Sequence, residues 1–444
     1  MAAIITSKFR FQAAKNLIAA IGGNGAQTPE SYYLFVGRSM PWTGSDTAPA
    51  SPQDRLSDEL DAKQNMLAMK KILPIGVSHA IPRYNWVSGQ TYSEYDDQDS
   101  LLSAKQYYVV TDDLSVYKCI KAGTSGSLIR PSGSSLEVGN VLSDGYQWKY
   151  MFTLSGGDVA KFLTSTFISS KTLEVDDESI QWDVQQAAIP GAIHRIKVTN
   201  GGSGYSASNK PTVTITGNGT GCVVQPDDIV ISGGAITEIL VKNANVGTGY
   251  SHATVSITGG VGTGATARAV ISPTGGHGSD PVTELSSFYV MIDVQLVADD
   301  GSGDFIVDNE FRQIGIIRNP IETSTGDVGT APTYDALTQI QFTGLGGGSS
   351  FARDTIIEGQ TSLARAYIDS IDTDVIRVHQ NDTTGFGTFQ VGEQIQVGSV
   401  YATVATITAP EIDSNSGEVV YLENIAPVNR NSNQTEDIKL VLEL

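Results

Sequence analysis

Two hydrophobic rhythms run along the chain. Near the start, Ala13, Ala14, Leu17, Ile18 and Ile21 recur at helical spacing behind Ser7, a candidate N-cap, and Gly22 with Gly23 offers a left-handed stop. The spacing predicts a helix there. A second helix is predicted over residues 57–71, where Leu60, Met66, Leu67 and Lys70 fall near the same period and Pro74 lies just beyond. Elsewhere the rhythm shortens. Runs of β-branched and aromatic residues bounded by Gly, Asp or Ser predict strands at 32–36, 107–111, 116–120 and 148–154. The far end, IKLVLEL, alternates apolar and polar positions, which predicts a strand paired into a sheet.

Residues 191–272 repeat internally. IHRIKVTNGGSGY (193–205) precedes PTVTITGNGTGCVV (211–224), and ITEILVKNANVGTGY (236–250) precedes ATVSITGGVGTGATARAVI (253–271). Each copy reads strand, GxGY turn, strand, Gly-rich turn, strand, with Tyr205 matching Tyr250 and Ile215 matching Ile257. A unit this small must pack on its neighbour to cover its apolar face, so two copies predict one β-module. A fainter duplication relates DTIIEGQTSLARAYIDSID (354–372) to GEQIQVGSVYATVATITAP (392–410), with VIRV (375–378) between them. It predicts a small antiparallel barrel or sandwich, entered through GLGGGSS (344–350) and bounded upstream by ETSTGDVGTAPTYD (322–335).

Composition agrees with a folded, strand-rich protein of more than one domain: 444 residues, 40% hydrophobic, 17% charged, with 47 glycines clustered in turns. The net charge of −20 disfavours nucleic acid and anionic lipid as partners. Cys119 and Cys222 lie far apart, outside any CxxC spacing, and read as small buried residues. The start MAAIITSKFR has no signal-type apolar core, and no run of about 18 apolar residues occurs, so no membrane insertion is expected.

Candidate chemistry is sparse. The Gly-rich turns contain GxG but no P-loop Lys-Ser/Thr pair and no βαβ context, so they read as hairpin turns. His79, His194, His252, His277 and His379 form no metal-ligand spacing; His277, near Asp280, is read as a surface hydrogen bond. The acidic dipeptides Asp96-Asp97, Asp112-Asp113, Asp176-Asp177, Asp227-Asp228 and Asp299-Asp300 point to opposite faces of an extended chain, unlike a glycosidase pair. DDGSGD (299–304) resembles a calcium loop but lacks the EF-hand spacing and closing Glu, and reads as a solvated turn. No catalytic residue, cofactor or metal is therefore assigned. Trp42, Trp86 and Trp148 stand in compact motifs with a Pro or a basic residue, and both roles, interface anchor and core residue, stay open for them.

Those motifs, taken in order, carry a family resemblance. ITSKFR (5–10), VGRSMPW (36–42), ILP (72–74), AIPRYNW (80–86), VYKCI (116–120), SDGYQWKYMF (143–152), FRQIGIIRNP (311–320) and YLENIAPVNRNSNQTEDIKLVLEL (421–444) resemble the baseplate wedge proteins of the gene product eight type found in T-even-like contractile-tailed phages. The resemblance covers roughly 1–190, 281–322 and 411–444. It implies a mainly β, multi-domain scaffold of antiparallel sheets or sandwiches with one or two short helices. Residues 1–190, 281–334 and 411–444 would form the wedge scaffold, with a Gly-rich β-repeat inserted at 191–280 and a small barrel or sandwich at 335–410. The implied role is a structural, non-enzymatic homodimer, assembled in the host cytoplasm into the virion tail. It would bridge other wedge proteins and rearrange on contraction. Arg38, Trp42, Arg83, Trp86, Trp148 and Arg312 are the candidate interface or scaffold anchors. A receptor- or carbohydrate-binding tail module is the alternative, motivated by the GxGY turns, and a virion polysaccharide-degrading enzyme is a further rival.

Overall fold

The computed structural model describes residues 4–22, 30–297, 309–431 and 434–444. It is mostly strand, built from several antiparallel sheets and one closed barrel with a few short helices, as the alternation predicts. The chain divides into two compact units. One comprises Met1–Lys15, Ser78–Met291 and Val441–Leu444; the other comprises Asn16–Val77 and Ile292–Leu440. The DDGSGD segment lies outside the described residues, as does Gly23 of the predicted helix stop.

The first helix spans Ser7–Gly22. The Thr6 carbonyl accepts from the N–H groups of Phe9 and Arg10, so the helix begins one residue earlier than the Ser7 cap predicted. The second helix stops at Gln64, spanning Leu56–Gln64, and Met66–Lys71 is a strand. Asn65 leaves the helical region at φ −98°, ψ 10°, and its side-chain amide donates back to the Asp61 carbonyl at 2.7 Å. Beyond it Met66, Leu67, Ala68 and Met69 are all buried, which one helix face cannot achieve and a central strand requires. The helical spacing read across 57–71 therefore joined two elements.

That strand belongs to a five-stranded antiparallel sheet in the second unit, ordered Thr333–Asp335, Met66–Lys71, Tyr32–Gly37, Asn309–Arg318, Glu418–Arg430. Tyr32–Gly37 is buried along its whole length. The neighbouring Gly315 is required by contact: a Cβ there would lie 2.4 Å from the Phe35 ring. The barrel in the same unit closes in the order Thr338–Gly346, Val375–His379, Arg365–Asp372, Ile356–Gly359, Gln394–Val397, Val400–Thr408. Ile340, Ile357, Ile368, Ile376, Ile395 and Val404 fill its interior.

In the first unit the repeat folds as an interlocked pair. Thr212–Gly217 of copy one pairs antiparallel with Ala253–Thr258 of copy two. The outer strands exchange: Arg195–Ser203 of copy one pairs with Thr263–Val270 of copy two, and Thr220–Cys222 pairs with Val246–Thr248. Each GxGY tyrosine is covered by a glycine of the other copy. A Cβ at Gly262 or Gly219 would lie 2.4 Å from the ring of Tyr205 or Tyr250 respectively. Neither copy can bury its tyrosine alone, which explains why the repeat comes as a pair.

The same unit contains the sheet Tyr108–Val110, Ser115–Lys121, Gln147–Thr153. A further four-stranded sheet is ordered Thr435–Glu443, Tyr289–Val297, Val77–Pro82, Phe167–Ser170. The alternating C-terminal run is thus a paired strand at a sheet edge. Among the described residues no helix is long and apolar enough to cross a membrane.

Candidate interface anchors and a buried charged cluster

The six anchors fall into the two units, three in each. In the second unit, Arg38, Trp42 and Arg312 converge on one segment. Arg38 takes a left-handed backbone (φ 61°) at the end of its strand, and its guanidinium stacks 3.9 Å from the Trp42 ring centroid while pairing with Asp61 at 3.2 Å. Trp42 donates its indole N–H to the Ile425 carbonyl at 3.1 Å. Arg312 is buried and forks onto Asp46 at 2.8 and 3.0 Å, while also donating to the Ser39 carbonyl and pairing with Glu310. The Arg312 bonds hold the Asp46 carboxyl below its usual range. Together they staple residues 38–46 to the sheet.

In the first unit, Arg83 donates to the Thr164 carbonyl at 3.0 Å and to Asn85 Oδ1 at 2.9 Å, and Trp86 donates to Ser127 Oγ at 3.2 Å. Trp148 is core: 5% exposed, stacked on Tyr146 at 5.5 Å and edge-on to Tyr92 at 5.7 Å. Its indole N–H has no hydrogen-bond partner among the described residues.

The motifs VYKCI and SDGYQWKYMF deliver something composition did not announce. Lys118 and Lys149 are fully buried, and Lys118 pairs with the equally buried Glu284 at 2.8 Å. His277 sits against them: its Nδ1 lies 3.1 Å from Lys118 Nζ, and because an ammonium only donates, Nδ1 accepts. The surface hydrogen bond to Asp280 expected for His277 is not formed. The ring is 4% exposed, edge-on to Tyr95 at 5.0 Å and packed on His194 at 5.3 Å. The turn around 276–284 curls inward because the second Glu284 oxygen accepts from the Gly278 and Asp280 N–H groups at 2.7 and 3.2 Å. Burial, reinforced by Lys118, pushes the His277 imidazole down to about 4; burial, reinforced by His277, pushes His194 down to about 2. Burial also brings Lys149 down to about 8. It raises Glu284, but Lys118 and His277 outweigh it and hold that carboxyl at about 2.

These shifts fix the pH response. His277 binds its proton near pH 6.5 when unfolded and near 4 when folded, so its contribution is complete above 6.5 and is lost as the pH falls towards 4. Acidifying from pH 7 to 4.5 is expected to destabilise this unit by about 2–3 kcal/mol through His277. Denaturant midpoints across that range measure it, and His277→Gln should flatten the slope; an unchanged slope would refute the assignment.

The carboxylate pairs are structural ion pairs and turns. Asp96 and Asp97 converge on Arg268, with Asp97 at 3.1 Å, and Lys197 reaches Asp96 at 3.0 Å. Opposite-facing geometry thus fails there, since one guanidinium bridges both. Asp112 and Asp113 lie near Arg130, Asp176 and Asp177 cap turns, and buried Asp228 pairs with Lys242 at 2.9 Å. In the barrel unit, buried Asp369 accepts from Ser39 Oγ and lies against His379 Nδ1, both at 2.7 Å. The carboxylate separates serine from histidine, so this trio lacks the serine–histidine contact that nucleophilic catalysis needs. Cys119 and Cys222 are free and buried. Among the described residues no three His, Cys, Asp or Glu side chains are grouped to share a metal.

Comparison with known proteins points one way. A sequence model of the family described as "Bacteriophage T4, Gp8" matches residues 3–130, a segment that includes Arg38, Trp42, Arg83, Trp86 and Lys118. The curated baseplate wedge protein gp8 of Enterobacteria phage T4 is 25% identical over 189 aligned positions, covering 34% of this chain and 55% of that protein. The match spans about half the length of that relative. Across this segment the chain is similar to the phage baseplate wedge protein of the gp8 type, the family its motifs resemble.

Proposed function

We propose that this chain is a structural subunit of the baseplate wedge in a contractile phage tail, assembled in the host cytoplasm and resident in the virion. The family match over residues 3–130 carries this reading. In it the protein acts through shape and turns over no substrate. It forms a homodimer that bridges other wedge proteins, and its large interfaces rearrange when the tail contracts. Residues 1–190, 281–334 and 411–444 serve as the wedge scaffold, with 191–280 and 335–410 as inserted β-modules. Arg38, Trp42 and Arg312 brace one unit, and Arg83, Trp86 and Trp148 the other. The internal pairing of the buried His, Asp and Glu side chains is consistent with a scaffold.

Disrupting the gene in the encoding phage should yield particles without complete baseplates in electron micrographs and no plaques, with both restored by the intact gene in trans. Tails that assemble and infect normally without the protein would overturn the wedge role. Sedimentation equilibrium at micromolar concentration tests the dimer; a strict monomer would remove that part alone.

A further inference from the structure

Large apolar side chains stand in solvent just before and at the start of the first helix: Ile4, Ile5 and Phe9 are 86%, 71% and 67% exposed. Phe11 and Ala14, on the other side, are buried, so the outward face is fixed by packing. Residues 4–22 carry Lys8, Arg10 and Lys15 and no carboxylate, on a chain of net charge −20. Arg10 is committed to Glu443 and the Phe288 ring, whereas Lys8 stands exposed between Ile5 and Phe9. The result is an apolar knob with a cation on it.

A matching socket lies in the same unit. The connection 122–146, between Ser115–Lys121 and Gln147–Thr153, is long for a loop without its own strands or helices. Between it and the sheet opens a pocket of about 260 Å³ whose walls include Tyr117, Ile129, Pro131, Leu142, Trp148 and Tyr150. Its surroundings are apolar and acidic. Leu128 and Leu136 are 65% and 40% exposed, Glu137 lines the pocket, and the exposed Asp112 and Asp113 approach Arg130 at the rim. Three carboxylates thus outnumber one guanidinium around an aromatic floor.

We propose that the knob of one copy, Ile5, Lys8 and Phe9, fills this socket on a second copy, and that the contact occurs twice about a two-fold axis. Knob and socket sit on one chain with complementary charge and apolar character, as an isologous dimer demands. Burying the exposed apolar residues of both patches supplies the driving force, and Lys8 meeting the acidic rim sets the register. This inference rests on the homodimer reading and names the surface that makes it.

Phe9→Asp and Ile129→Asp, introduced separately, place a charge in each half of the contact. Each is expected to weaken dimerisation at least about 30-fold in sedimentation equilibrium. At concentrations low enough for the wild type to be monomeric too, their unfolding midpoints should match wild type, because both side chains are exposed in the monomer. An equimolar mixture of the two should regain association, since the mixed dimer keeps one intact contact. Dimers as tight as wild type in either variant, or no recovery in the mixture, would overturn the proposal and leave the wedge role standing. A monomeric wild type would overturn it together with the dimer, while the tail-assembly test decides the wedge role separately. Binding to phosphatidylserine vesicles that Phe9→Asp abolishes, with dimerisation unchanged, would assign the knob to a lipid surface and refute the contact between copies.

Discussion

Replacing Glu284 by Ala is expected to destabilise its unit by about 3–5 kcal/mol, because Lys118 would then be buried without a counter-charge. The carboxylate also accepts the Gly278 and Asp280 N–H groups, so its removal strands two backbone donors as well. Glu284→Gln separates these effects. The amide oxygen still accepts both N–H bonds while the charge is lost, so this variant should fall between Ala and wild type. Adding Lys118→Met to Glu284→Gln removes the orphan cation and should return most of the lost stability, since a buried pair is costly mainly when broken. Three of the four tryptophans, Trp86, Trp148 and Trp182, lie in this unit, so indole fluorescence in a denaturant titration reports it. Equal stabilities for the Gln single and the Met/Gln double variants would show that the Lys118 charge is compensated elsewhere.

Why that cluster escaped the sequence is instructive. Alternation places Lys118 on the same side of its strand as Val116 and Ile120, and all three are buried, as are their neighbours Tyr117 and Cys119. A lysine on a core-facing position needs a partner, and that much could have been read. The partner could not, because Glu284 lies 166 residues away at the end of the short helix Pro281–Glu284 and nothing local marks it. His277 failed for a related reason. Its glycine-flanked loop looked solvent-facing, but the Glu284 carboxylate draws the turn into the interior.

Strands were legible where period and boundary residues agreed, as in Ser115–Lys121 and Gln147–Thr153, each predicted to within a residue or two. The repeat was legible as a repeat; its exchange of strands between copies was not, since both copies carry the same pattern and pairing is a tertiary choice. The run 57–71 failed because Leu60, Met66, Leu67 and Lys70 fall near a helical period by spacing alone, while burial of every residue from Met66 to Met69 comes from the strands on either side, which no local pattern announces. Among the anchors, sequence could not divide core from surface. Trp148 and Trp42 sit in similar motifs, yet one is sealed under Tyr146 and the other rests against Arg38.

Deleting residues 435–444 is expected to abolish soluble folding. The strand Thr435–Glu443 pairs beside Tyr289–Val297, whose backbone groups on that side would be left unpaired. Leu440 is 5% exposed, and Val441 packs on the cluster of Ala80, Phe162 and Met291; each buried side chain of this kind contributes about 1.5–3 kcal/mol. Two ion pairs go as well: Lys439 with Asp293 at 2.8 Å, and the buried Arg430 with Glu436 at 3.1 Å. The sum approaches the whole stability of an ordinary domain, about 5–15 kcal/mol, so the truncated chain should appear in the insoluble fraction. Glu443→Ala is the contrasting control. It breaks only the partly exposed pair with Arg10 and should cost under about 1 kcal/mol. A truncated protein that stays soluble and melts like the full chain would mean that this strand decorates the sheet and does not complete it.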